Sequence, residues 1–365
     1  MKLAFPSIGY SDILISTLLR EWGVDFLKPR GNTEEGAFKA LLIAPKDACM
    51  PFKTVMGNML DSYCRGADTG IFFGGCGPCA FGYFSSAMNR LFEENGINFR
   101  VLTLEFFSDD LKELLSYIEN ETGKSAASLF SVAPKAVASC VYLDRFENFM
   151  LDIRSTIKDE SNRRDFNRYE KNCFEELGEC KSFFELNAKI YKSMLLAKSF
   201  EEKREKRLFV GIVGDIYSII DSFSNYDIQR RLADSGVRTR RSLTLSKWLF
   251  GRIPFIFRPH TLAALKYMPK CIGGFARDTV GYTSLWSKNK DGIIQIYPLN
   301  CMPETAASAV LPKIHEKTGV PLLQLSVDEQ TGEEGYITRV EAFVEMIIKR
   351  KEENNLNGKR IFSRG

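Results

Sequence analysis

The chain has 365 residues, 44% of them hydrophobic, and a net charge of +4 from 50 basic and 46 acidic side chains; that length and apolar content suit two domains with separate cores. So mild a charge, with Lys and Arg scattered rather than gathered in a strip, argues against nucleic-acid binding. No apolar run approaches the roughly 18 residues of a membrane span, and the start at Met1 lacks the basic-then-apolar pattern of an export leader, so no membrane partner is expected and the expected setting is cytoplasmic.

Strand and helix patterns alternate from the start: strand at 2–6, helix at 11–22, strand at 25–29 and partial helix at 36–43. A helix at 54–63, a strand at 71–73, a glycine-rich turn, a helix at 85–94 and a strand at 99–104 follow. This rhythm predicts a parallel sheet, and residues 1–108 read as an N-terminal α/β half. Residues 109–206 are long, charged and helix-periodic with few glycines, a helical middle segment. A second α/β half, 207–350, opens with a strand running through Gly211 and Gly214 into a helix. That glycine spacing is too short for a dinucleotide fingerprint and reads as a strand–helix junction. A helix at 227–235, a strand at 238–243, helical apolar sequence at 247–268, strands at 292–297 and 322–327 and a helix at 338–350 complete it, and 351–365 reads as a polar, frayed tail.

Nine cysteines in a chain expected to stay in the cytoplasm point to reduced thiols or metal ligands rather than disulfides. Only His260 and His315 supply imidazole, so a metal centre here is thiolate-rich, zinc or iron–sulfur. Three cysteines share a context. Cys49 precedes Met50-Pro51, Cys79 follows Gly77-Pro78, and Cys301 precedes Met302-Pro303. Proline stiffens each turn, and the free amides of Gly75 and Gly77 are suited to hydrogen-bond cluster sulfides. In open α/β sheets sites form outside the carboxyl ends of strands, where such turns can meet. Three thiolates leave one iron of a cubane open.

Cys76 and Cys79 also make a Cys-x-x-Cys, with competing readings as a redox disulfide, a structural zinc half-site or tight-turn buried thiols. Cys64, Cys140, Cys173, Cys180 and Cys271 read as small buried hydrophobes. Lys53 is placed to offset cluster charge or to be an ordinary exposed lysine at a helix start. Glu304 and the Asp328-Glu329 pair are proton-relay candidates, although acids near turns are mostly solvated. His260 reads as a structural histidine.

Taken together, Ala48-Cys49-Met50-Pro51-Phe52-Lys53 with Gly57-Asn58, Gly66-Ala67-Asp68-Thr69, and Gly74-Gly75-Cys76-Gly77-Pro78-Cys79-Ala80-Phe81-Gly82-Tyr83 resemble the family of 2-hydroxyacyl-CoA dehydratase subunits and the domain attached to their ATP-dependent activases. Val213-Gly214-Asp215-Ile216-Tyr217, Tyr297-Pro298-Leu299-Asn300-Cys301-Met302-Pro303-Glu304 and Asp328-Glu329-Gln330-Thr331-Gly332-Glu333 look like its later motifs. The resemblance implies two Rossmann-like halves and a [4Fe-4S] cluster held between them, with Cys49, Cys79 and Cys301 at the family's cysteine positions. It also implies an anaerobic, low-potential electron-transfer or reductive role, an ATP-dependent activase or other electron donor as partner, and a homo- or heterodimer. Ala80 stands where the family often has arginine, and Cys76 where a small non-ligating residue is usual. Cys76 is therefore a candidate fourth ligand, or a ligand of a larger double-cubane cluster. Two further readings stand beside this one: a non-catalytic accessory protein carrying the cluster, and a thiol–disulfide oxidoreductase using Cys76 and Cys79.

Overall fold

A computed structural model describes residues 1–74, 79–105, 108–203, 208–251 and 258–362. The fold is α/β with two four-stranded parallel sheets, as the alternation of strand and helix patterns predicts. The first part of the chain runs β1 (Leu3–Ala4), α1 (Ser11–Trp22), β2 (Phe26–Leu27), α2 (Glu34–Leu41), α3 (Met50–Cys64) and β3 (Thr69–Phe73). It continues through a 3-10 turn (Ala80–Tyr83) to α4 (Phe84–Glu94), β4 (Arg100–Leu104), α5 (Asp109–Thr122), α6 (Ala126–Phe130), α7 (Ala133–Arg154), α8 (Glu160–Gly178) and α9 (Phe183–Ala197). Then come β5 (Phe209–Gly214), α10 (Ile216–Ile220), α11 (Ile228–Asp234), β6 (Arg238–Arg241), α12 (Leu245–Gly251), α13 (Pro259–Leu265), α14 (Ala276–Trp286), β7 (Gly292–Pro298), α15 (Met302–Thr318), β8 (Leu322–Val327) and α16 (Glu333–Phe362). No single helix of the described residues is long and apolar enough to cross a membrane.

Two compact units emerge. The first takes in Met1–Ile153, Lys158–Glu201 and the α12 stretch; the second takes in Arg154–Ile157, Glu202–Leu243 and the chain from α13 on. In the first unit the strand order is β2-β1-β3-β4, all parallel. Leu3, Phe5, Ile71 and Leu102 from the sheet region pack with Ile15 and Leu19 of α1 and Leu114 and Ile118 of α5. The helical middle segment is tied to this unit at the α8–α9 joint. Arg20 of α1 donates to the carbonyls of Gly178 and Cys180, and the amide of Phe183 donates to Glu21. The α12 stretch is held by one buried acid: Asp144 of α7 accepts from the Thr244 hydroxyl and from the amide and hydroxyl of Ser246.

The second unit has the order β6-β5-β7-β8, again all parallel. Numbered within its own unit, each sheet therefore reads 2-1-3-4. The correspondence extends to the crossover between the second and third strands. In the first unit it contains α2 and α3, packed so closely that a Cβ on Gly57 would lie 2.5 Å from the Gly36 carbonyl carbon. In the second it contains α13 and α14, where a Cβ on Gly281 would lie 2.6 Å from the His260 carbonyl carbon. The pairs 36/57 and 260/281 span the same interval of 21 positions. The two halves thus share an internal structural repeat of strand order and helix contact.

Several boundaries differ from the sequence expectation. α3 starts at Met50 rather than 54, because Pro51 fits a first helical turn, where its missing amide costs nothing. The expected helix at 247–268 is two short helices, α12 and α13. α16 starts at Glu333, whose acidic first turn suits the positive end of the helix dipole, and continues to Phe362 through the region expected to fray. The junction at Gly211-x-x-Gly214 is as read: Gly214 has φ of +139°, and its α-carbon lies against the Ile296 carbonyl, leaving no room for a side chain. Gly57→Ala and Gly281→Ala should each destabilise their own unit by about 1–3 kcal/mol through overpacking, read as a lowered urea midpoint by circular dichroism, whereas Ala substitution at Gly332, which has open space around it, should leave the midpoint in place.

Candidate functional site

Cys49 and Cys301 occupy the same local geometry. Each is the residue before a long helix, with extended backbone (φ −65°, ψ 152° at Cys49; φ −85°, ψ 99° at Cys301) and a proline in the first turn that follows. Cys49 accepts the Phe52 amide on its carbonyl at 3.0 Å, and Cys301 accepts that of Thr305 at 2.9 Å. Cys79 opens the 3-10 turn after β3, also extended (φ −77°, ψ 130°). All three are half-buried thiols. Cys79 and Cys301 lie in the segments that leave the carboxyl ends of the third strands, six positions after Phe73 and three after Pro298, and α3 runs back to the start of β3, which puts its first residue at the carboxyl edge. The third strand in each unit pairs with the first, the place where strand order reverses and open α/β sheets bind ligands. At α3 and α15 the helix dipole favours the thiolate form.

Within the first unit an aromatic cluster joins the two thiol segments. Phe52, three residues beyond Cys49, meets Phe84 edge-on at 5.0 Å, while Phe81, two residues beyond Cys79, contacts Phe72 at 5.0 Å and Phe84 at 5.1 Å. Asn58 braces the same helix α3, accepting from the Ser7 amide and donating to the Gly31 carbonyl and the Asn32 side chain. Gly57 and Asn58 thus act on the framework behind Cys49. Gly75, Cys76 and Gly77 lie outside the described residues.

Two polar candidates are placed differently from the sequence reading. Lys53 is not an exposed lysine: it is 3% exposed, on the buried side of α3, and donates to the Lys46 carbonyl at 2.9 Å. Glu304, read as a proton-relay candidate or a solvated acid near a turn, is fully buried in the first turn of α15. Its carboxylate oxygens accept from the Thr279 hydroxyl at 2.9 and 3.1 Å, and one accepts from the Gln295 side chain at 3.1 Å. Gln295 is held in turn by Gln324, at 2.8 Å. Burial, reinforced by the charge of Asp215, raises the Glu304 carboxyl to about 8. Asp215, buried where it caps α10 through the Ser218 amide, is also raised by burial. Neither Thr279 nor Gln295 stood out in the sequence, and Asp215 did so only as part of the Val213–Tyr217 motif. A signal existed for one: Gln295 interrupts the apolar strand Ile293-Ile294-Gln295-Ile296, and a buried amide requires a partner.

The remaining cysteines divide. Cys140, Cys173 and Cys180 are buried as expected, and burial pushes the Cys140 thiol up to about 12. Cys64 and Cys271 are exposed, not buried: Cys64 ends α3 and Cys271 sits in the loop before α14. His260 is structural, with Nε2 2.8 Å from Asp278 and its ring stacked on Tyr282 at 4.4 Å. Asp328 forms a turn, accepting from the Gln330 amide and the Thr331 hydroxyl. Among the described residues no three His, Cys, Asp or Glu side chains converge on a point that would hold a metal ion. The donor chemistry at the carboxyl edges is nonetheless thiol rather than carboxylate or imidazole, and so fits a thiophilic centre.

In comparisons with known proteins, no family model matches the chain, and no curated protein matches it. The site therefore rests on its own chemistry.

Because Glu304 is raised in the folded chain, the native state keeps a proton that the unfolded chain releases above the ordinary carboxyl range near 4.5. Its contribution is complete below that range and is lost as pH rises through about 8. Glu304→Gln, which keeps the shape without the proton, should flatten the decline in thermal stability between pH 5 and 8, measured by scanning calorimetry. An undiminished decline in the variant would remove Glu304 as its source.

Proposed function

We propose that this chain is an iron–sulfur protein related to 2-hydroxyacyl-CoA dehydratase subunits, which takes low-potential electrons from an ATP-dependent activase and delivers them to a small substrate or a partner enzyme. The observation that carries the reading is the shared setting of Cys49, Cys79 and Cys301: each opens a helical segment at the carboxyl edge of a 2-1-3-4 parallel sheet. When bound, a [4Fe-4S] cluster supplies one-electron chemistry at low potential. The chain supplies the thiolates, favoured at Cys49 and Cys301 by helix dipoles, and holds them on turns stiffened by Pro51 and Pro303. Phe52, Phe81 and Phe84 make the surroundings of Cys49 and Cys79 apolar, which shields a cluster from water and tunes its potential. Cys76, three positions before Cys79 in the sequence, is a further candidate ligand.

Protein purified or reconstituted without oxygen should be brown, carry iron and acid-labile sulfide, and give a paramagnetic signal on reduction. Cys49→Ser, Cys79→Ser and Cys301→Ser should each lose most of the iron, whereas Cys140→Ser should retain it. A colourless, iron-free chain after reconstitution overturns the proposal. Disulfide reductase activity lost in Cys79→Ser, in a chain that never holds iron, would replace it with a thiol–disulfide role.

A further inference from the structure

The two units share more than a sheet order. In each, the crossover from second to third strand passes through two helices in backbone contact, and the later helix (α3 or α14) returns along the sheet so that its beginning lies at the carboxyl edge. In the first unit the thiol at that place is Cys49, eight residues before the contact glycine Gly57. In the second, counting back from Gly281, a cysteine stands ten residues before, Cys271. The other thiol in each unit follows the third strand: Cys79 after β3, Cys301 after β7.

Packing brings the segments of each pair together. In the first unit the link is the ring contact of Phe52 with Phe84. In the second, Gly273 and Gly274 both adopt left-handed backbone (φ +84° and +54°) and turn the Cys271 loop onto α15 so closely that a Cβ on Gly274 would lie 2.7 Å from Cγ of Pro303, two residues beyond Cys301. Ile272 is partly buried and packs against the core of the second unit, while Cys271 beside it is exposed. Arg277 fastens the loop by donating to the Pro269 carbonyl at 2.9 Å, and its Nε is buried with no hydrogen-bond partner among the described residues. Six glycine and cysteine positions thus repeat a two-thiol arrangement that the sequence hides, because Cys271 carries no Met-Pro beside it.

We infer that Cys271 and Cys301 form a dithiol pair in the second unit, the counterpart of Cys49 and Cys79 in the first, and that the pair binds a thiophilic metal centre. As an iron–sulfur ligand, Cys271 rests on the function proposed above; as half of a dithiol site, it does not. The pair gives the chain four described thiols at sheet edges, two from each unit, before Cys76 is counted.

Two measurements on the full-length chain separate these parts. Phenylarsine oxide condenses with two neighbouring thiols: two arsenic–sulfur bonds form, and the oxide oxygen leaves with both thiol protons as water, with no change of oxidation state. Peptide mapping by mass spectrometry of the anaerobic, metal-free chain should find arsenic bridging Cys271 and Cys301, with the bridge absent from Cys271→Ser and unaffected in Cys64→Ser, an exposed cysteine outside both pairs. Reconstitution with iron and sulfide should then show less iron and an altered paramagnetic spectrum in Cys271→Ser but not in Cys64→Ser. Failure to form the Cys271–Cys301 bridge overturns the pair. A bridge accompanied by full iron and an unchanged spectrum in Cys271→Ser overturns its role as a cluster ligand. A bridge in a wild-type chain that takes up no iron supports the dithiol site and overturns the iron–sulfur function instead.

Discussion

The carbonyl of Gly36 faces the α-carbon of Gly57 with no room for a methyl group between them, and that of His260 faces Gly281 in the same way. Backbone contact of this kind forces α2 against α3 and α13 against α14, and so determines where α3 and α14 begin relative to their sheets. Since Cys49 immediately precedes α3 and the Cys271 loop leads into α14, the positions of both thiols depend on two glycines well inside the helices. Asn58 reinforces the first of these placements by tying α3 to the loops after β1 and β2. Close packing transmits such constraints because interiors have little spare volume to absorb them.

Charge is distributed around this frame in two distinct ways. The thiols stand at helix beginnings, half-buried, where partial positive charge favours an anion. Glu304 stands in the first turn of the same helix that Cys301 opens, yet is fully buried and retains its proton, tied to Thr279 of α14 and Gln295 of β7. A neutral acid there anchors the start of α15 to a helix and a strand without burying a charge. Ionised carboxylate would pay a large desolvation penalty at that depth.

The motifs that stood out in the sequence turn out to serve two purposes. Gly57-Asn58, Gly214-Asp215 and the Asp328–Thr331 turn build framework: a close helix contact, a left-handed strand end with a helix cap, and a turn whose Thr331 carbonyl receives the Tyr226 hydroxyl. Cys49, Cys79 and Cys301 instead place half-buried thiols at the starts of helical segments. Spacing alone does not separate these classes, because glycine and aspartate are chosen for backbone geometry while cysteine is chosen for its sulfur.

By itself the sequence determined the α/β class and most of the strand and helix positions, because apolar periodicity and glycine placement are local and the chain cannot satisfy them in another secondary structure. It also singled out the thiols beside prolines, since that pattern is local too. Tertiary structure alone decided that the two sheets repeat one strand order, that Lys53 and Glu304 point inward, and that Cys271 lies on the segment turned against the start of α15. These depend on contacts between residues distant in sequence, where burial and approach distance are set by packing rather than by neighbouring residues. Cys271 illustrates the division: its local sequence resembles that of any exposed loop cysteine, and only the fold of the second unit gives it a partner.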